Sequence, residues 1–152
     1  MIHDISSQQE HQQDNASIRL GACGLEHADL LKNFYPEDLP QDWRLGFYAN
    51  EFNALLVPES IWRNEALDIE DWLDVPEGFR FYFEDNGALD QARLDEFESR
   101  MGLHYCGSVR RTESMIDTAS AVAIIDMQSR SLREWRVWLE QHASELRAIF
   151  LD

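Results

Sequence analysis

The sequence predicts an α/β fold, a reduced or partial TIM-like β/α barrel on a mostly parallel sheet of about six strands. Three observations carry this. Short apolar runs alternate with capped or amphipathic segments in the order β-α-β-α-β-α-β-(α)-β-α-β, and such alternation implies parallel strands joined by crossover helices. The apolar runs Phe52 to Val57 and Ser120 to Asp126 are nearly continuous, as in strands buried on both faces. The chain has 152 residues, enough for a real core. A full eight-stranded barrel typically takes about 250.

Taken in order, residues 1–16 are polar, rich in Gln, His and Ser, and without periodicity. They are expected to form a disordered tail, leaving 17–152 as one β/α domain. Ile18-Arg19-Leu20-Gly21 begins the first strand, and Gly21 and Gly24 allow a tight exit from it. Ala28 to Leu31 is expected to make a short helical turn, ended by Tyr35-Pro36, because the residue before proline is pushed out of helical space. Gln41 to Glu51 reads as a helix with Trp43, Leu45, Phe47 and Tyr48 as its apolar content. The strand Phe52 to Val57 ends at Pro58. Asp68 to Leu73 is a short helix carrying Trp72, and Val75-Pro76-Glu77-Gly78 is a turn. Phe79 to Phe83 is aromatic and strand-like.

Asp90 caps a helix over Gln91 to Met101, with Leu94, Phe97 and Met101 three to four residues apart and Gly102 as its stop. Leu103 to Cys106 is expected as a strand. The stretch Gly107 to Thr118 is the hardest to read, with a short helix expected around Ser114 to Ile116. Ser120 to Asp126 is the strongest buried strand. Ser131 with Glu134 forms a capping box for the last long helix, whose inner face is expected to carry Leu132, Trp135, Trp138 or Leu139, and Leu146. Arg147 to Leu151 closes the chain as a strand.

Composition excludes several classes. Hydrophobic residues make up 44% of the chain, with 8 Phe, 5 Trp and 4 Tyr, which fits a packed globule and not a disordered chain. No stretch approaches the roughly 18 apolar residues of a membrane helix, so no membrane association is expected. The N-terminal residues have neither a basic start nor an apolar segment of signal-peptide type, and a cytoplasmic location is expected. Cys23 and Cys106 do not make a disulfide framework. The formal net charge of −16 repels phosphate backbones and anionic surfaces, so no nucleic-acid partner is expected, the adjacent Arg110 and Arg111 notwithstanding. Solubility is the plain account of this acidity; a cationic partner is the sharper one.

Several segments resemble the YecE-like family. Gly21-Ala22-Cys23-Gly24-Leu25 stands where that family has a Gly-Thr-Ser-Gly-Trp type turn. Phe34-Tyr35-Pro36-Glu37-Asp38-Leu39-Pro40 matches its Phe-Tyr-Pro-x-x-Leu-Pro segment, and Tyr48-Ala49-Asn50-Glu51-Phe52-Asn53 its Tyr-Ala-x-x-Phe-Asn. Val75 to Phe81 is similar to the lead into the family's third strand, Ser131 to Trp135 to its last helix, and residues 147–152 to its last strand. The resemblance covers 18–84 and, more loosely, 120–152. It implies an eight-stranded β/α barrel from which middle units are missing here. The polar positions depart from the pattern: Leu56 stands where the family carries Glu, Pro58 where it carries Asn, and Leu25 where it carries Trp. A leucine side chain neither transfers a proton nor holds an ion. The resemblance therefore implies a short, divergent, catalytically degenerate member acting as a binding or regulatory module.

In parallel β/α folds ligands bind at the carboxyl ends of strands. Glu84, Asp85 and Asp126 follow predicted strands and would supply a carboxylate acid/base pair, with Cys106 as a thiol nucleophile beside His104. That arrangement is the alternative reading, a small hydrolase; its bland counterpart is turn formers and caps. Cys23, His27, His104 and Cys106 are the weak candidates for a tetrahedral metal site, but Cys-x₃-His matches no strong motif, and neither metal nor cofactor is expected. A truncated barrel leaves sheet edges to be covered. The expected partner is accordingly another protein or a second copy of this chain, as a homodimer.

Overall fold

A computed structural model of the chain describes residues 17–64, 67–87 and 90–152. The tail expected over residues 1–16 lies outside the described residues. Seven strands are seen among them: β1 Arg19–Ala22, β2 Ala54–Val57, β3 Arg80–Glu84, β4 Tyr105–Val109, β5 Ile116–Asp117, β6 Val122–Ile125 and β7 Ala148–Leu151. The helices are α1 Ala28–Asn33, α2 Arg44–Glu51, α3 Glu59–Trp62, α4 Gln91–Met101 and α5 Leu132–His142, joined by short 3-10 turns.

The expected single sheet is instead two: one ordered β1-β7-β6-β5, the other β2-β3-β4. Pairing is parallel throughout except between β5 and β6. The strands do not close into a barrel among the described residues. The two sheets meet along β1 and β2, where side chains replace most of the backbone ladder. Tyr48 on α2 places its hydroxyl between the strands. It accepts from the Ala22 N–H at 2.8 Å and donates to the Ala54 carbonyl at 2.6 Å. Below it, Leu20 N–H donates to Asn53 Oδ1 at 3.1 Å. Direct backbone pairing resumes above it, with Gly24 N–H to the Leu56 carbonyl at 2.9 Å. Gly21 permits this approach: a Cβ there would lie 2.1 Å from the Ala54 oxygen.

Strand alternation sends side chains to two faces. On one, Leu55, Val57, Phe81 and Phe83 pack with Tyr48, Trp62, Trp72, Leu94, Phe97 and Met101 from the crossover segments. Around β6 and β7, Ala123, Ile125 and Ile149 pack with Trp135 and Trp138 of α5. On the opposite face, Ala54, Leu56, Tyr82, Val109, Val122, Ile124, Ala148 and Phe150 form one apolar cluster spanning both sheets. This shared cluster holds the two sheets together, each fully buried large side chain contributing ~1.5–3 kcal/mol.

The caps follow the sequence. Asp90 accepts from Arg93 N–H, and Ser131 and Glu134 make the reciprocal capping box. Three further expectations fail. Ser114 to Ile116 is no helix: residues 113–115 turn and Ile116–Asp117 pairs antiparallel with β6, with Met115 at φ 69°. The strand expected at Leu103 begins at Tyr105 and runs to Val109, because Gly102–His104 is a 3-10 turn and Gly107, at φ 101°, carries the strand through a register shift. Leu132 is not on the inner face of α5; it is 80% exposed at the first turn, while Trp135 and Trp138 are buried.

Candidate functional site

The carboxyl ends of β1, β3, β4 and β7 bring together Cys23, Glu84, Arg111 and Asp152. Glu84 is the last residue of β3 and alternates with Phe83, so its carboxyl lies on the side of the shared apolar cluster. Its side chain is 11% exposed. Burial of a lone carboxylate would be costly. Arg111, two residues past β4, compensates it: Nε donates to Glu84, and Nη1 and Nη2 reach Asp152 beyond β7. One guanidinium thus engages two carboxylates across the two sheets. Asn86 Oδ1 holds the Arg111 backbone N–H at 3.1 Å, and Trp62 Nε1 donates to the Glu84 carbonyl at 2.8 Å.

Cys23 sits against this group. Burial, and secondarily the charge of Asp152, pushes its thiol up to about 12, with Arg111 only partly offsetting them. The thiol is therefore protonated near neutrality and is a poor nucleophile. Glu84 and Asp152 are engaged by the same arginine, whose own pKa is raised by the two carboxylates. The cluster is a charge clamp, short of a free acid, a free base and an activated nucleophile.

The residues proposed from sequence are not assembled as a hydrolase site. Asp85 is buried but serves a turn: its carboxylate accepts from Gly87 N–H at 3.2 Å. Asp126 is exposed and caps the next 3-10 turn through Gln128 N–H at 3.0 Å. Cys106 is the second residue of β4, at the amino-terminal end of a strand parallel to β3, whereas Glu84 ends β3. It is exposed and lies beside Tyr82. The proposed metal ligands separate likewise. His27 uses Nδ1 to cap α1, and His104 precedes β4 with Nδ1 at 2.7 Å from the Phe79 carbonyl. Among the described residues no group of three or more His, Cys, Asp or Glu side chains is placed to hold a metal ion.

Arg111 is the residue sequence reasoning left without a role. The available signal was the adjacent pair Arg110 and Arg111, in a chain otherwise short of cations.

A second concavity lies beside the clamp. A groove of about 720 Å³ runs between the β1–α1 loop, the start of α2, and the β2–α3 connection. Leu45, Leu55, Val57 and Trp72, all buried, form its apolar wall. Glu26 on its rim accepts from Gln41 Nε2 at 3.2 Å and from Arg44 Nη1 at 3.3 Å. Cys23 borders both the groove and the clamp. No residue of the described structure forms a helix long and apolar enough to cross a membrane.

Comparison with protein-family models, with curated proteins and with solved structures finds no match for this chain.

Proposed function

We propose that this protein is a reduced, catalytically inert relative of the YecE-like barrels that works as a binding module. The observation that carries the reading is the clamp: Glu84, the buried carboxylate that ends β3, is paired to Arg111, and that arginine also engages Asp152. Leu56, where the resemblance leads one to expect a glutamate, is fully buried in the apolar cluster with Tyr82 and Phe150. Both features fill the strand ends with structure. The relation to a barrel is supported by the run of parallel neighbours β4-β3-β2 and β1-β7-β6, with β1 and β2 side by side, the order a β/α barrel has when middle units are missing. Groove dimensions favour small-molecule binding, since such sites usually measure about 300–1,000 Å³.

The test is a panel of chromogenic ester, phosphate and glycoside substrates set beside a ligand screen read by NMR. The binding-module reading expects no turnover above a Glu84→Gln control, and ligand-induced shifts at groove residues such as Leu25 and Trp72. Turnover that disappears in Glu84→Gln would overturn it in favour of the small hydrolase. Self-association belongs to the same reading, because β4 and β5 are each paired on one side only.

A further inference from the structure

We propose that the groove beside β2 binds a small organic cation, a protonated amine carried on a compact apolar group. The inference rests on the binding-module reading and names its ligand class. The groove combines a size and an apolar wall suited to a small ring or short alkyl chain with a rim on which carboxylates outnumber cationic side chains. Among the described lining residues Arg44 is the single Lys or Arg side chain, and Glu26 already neutralises it. Asp42, on the 3-10 turn before α2, and Asp71, beside Trp72, also line the groove. Their carboxylates have no hydrogen-bond or ion-pair partner among the described residues, so the rim keeps a negative charge that those residues do not cancel.

A carboxylate or phosphate ligand would meet two unpaired aspartates and a committed arginine. A neutral ligand would gain the apolar wall alone. An ammonium gains both the wall and the aspartates, and the chain's net charge of −16 raises the local concentration of cations further. The aspartates sit on the exposed rim, so the electrostatic part of the affinity is screened by salt while the apolar part is not.

Phenethylammonium, phenethyl alcohol and hydrocinnamate share one apolar body and differ in charge, and titration of each into the full chain by NMR decides the matter. Expected is binding of the ammonium about tenfold tighter than the alcohol, a difference of ~1.4 kcal/mol, with the anion weakest. The preference for the cation should shrink at high salt. It should vanish in Asp42→Asn/Asp71→Asn, whose affinity for the alcohol stays as in the parent. Both positions are exposed, and a thermal melt of the double variant reports whether the fold is retained. Equal affinity for all three probes, tighter binding of the anion, no binding of the ammonium, or a cation preference that survives the double substitution would each overturn the proposal. Shifts at the groove with the neutral or anionic probe alone would overturn the cation assignment and leave the binding module standing. Glu84-dependent turnover would overturn the binding module itself.

Discussion

Cys23 and Cys106 are the same residue type in two environments, and the difference decides their chemistry. Cys106 is exposed on an edge strand, whereas Cys23 is wedged beside Asp152, Arg111 and Glu84 with its thiol pushed up to about 12. Alkylation of the native protein with iodoacetamide at mildly alkaline pH is expected to modify Cys106 and spare Cys23, with both reacting in denaturant. Peptide mapping that finds Cys23 labelled first would refute this burial argument. The same shift has a linkage consequence. A folded-state pKa above the unfolded value of 9.0 means that folding favours the protonated thiol. That stability is complete below about 9 and is lost as pH rises through about 12. Denaturant midpoints should fall across that window, and less steeply in Cys23→Ala.

At the level of elements, the junction of β1 and β2 depends on α2. Tyr48 is fully buried and its hydroxyl completes the hydrogen bonding of both Ala22 and Ala54. Tyr48→Phe keeps the ring and its stack on Phe52, but leaves a buried N–H and a buried C=O without a partner. The expected loss is about 2–6 kcal/mol by chemical denaturation, since each such orphan costs roughly 1–3 kcal/mol. A loss under about half a kcal/mol would mean that the strands relax into direct pairing. Helix positions were legible because caps and apolar spacing are local: Asp90, Ser131 with Glu134, and the Leu94-Phe97-Met101 stripe all act within a turn or two. The Gly107 to Thr118 stretch was not, because its contacts reach beyond a turn or two: Arg111 N–H donates to Asn86 Oδ1, 25 positions away. Asp117 accepts from Arg110 N–H at 3.0 Å, and β5 exists only by pairing with β6.

For the molecule as a whole, the clamp links β3, the end of β4 and the end of β7, and so spans the two sheets. Arg111→Met removes the charge and keeps an apolar stem, leaving Glu84 nearly buried and unpaired. Breaking a fully buried pair costs about 3–5 kcal/mol. Arg111 and Asp152 are 41% and 44% exposed, so screening reduces the expected loss to roughly 1–3 kcal/mol. Glu84→Gln/Arg111→Met removes the lone carboxylate and should recover part of the loss. A loss unrelieved by the second substitution would show that Arg111 acts by packing alone.

Alternation of elements, the parallel character of most strands, the caps and the burial of the central runs were determined by the sequence itself, since each follows from periodicity and from groups a few residues apart. What the tertiary structure decided were relations between distant residues. It split the sheet at a tyrosine hydroxyl, put Cys106 and Glu84 at opposite strand ends, and closed Arg111 onto Glu84 and Asp152, 27 and 41 positions away in the chain. The physical reason is that a side chain's neighbours, and with them its charge state and chemistry, are set by which strand lies beside it, and no local pattern encodes that choice.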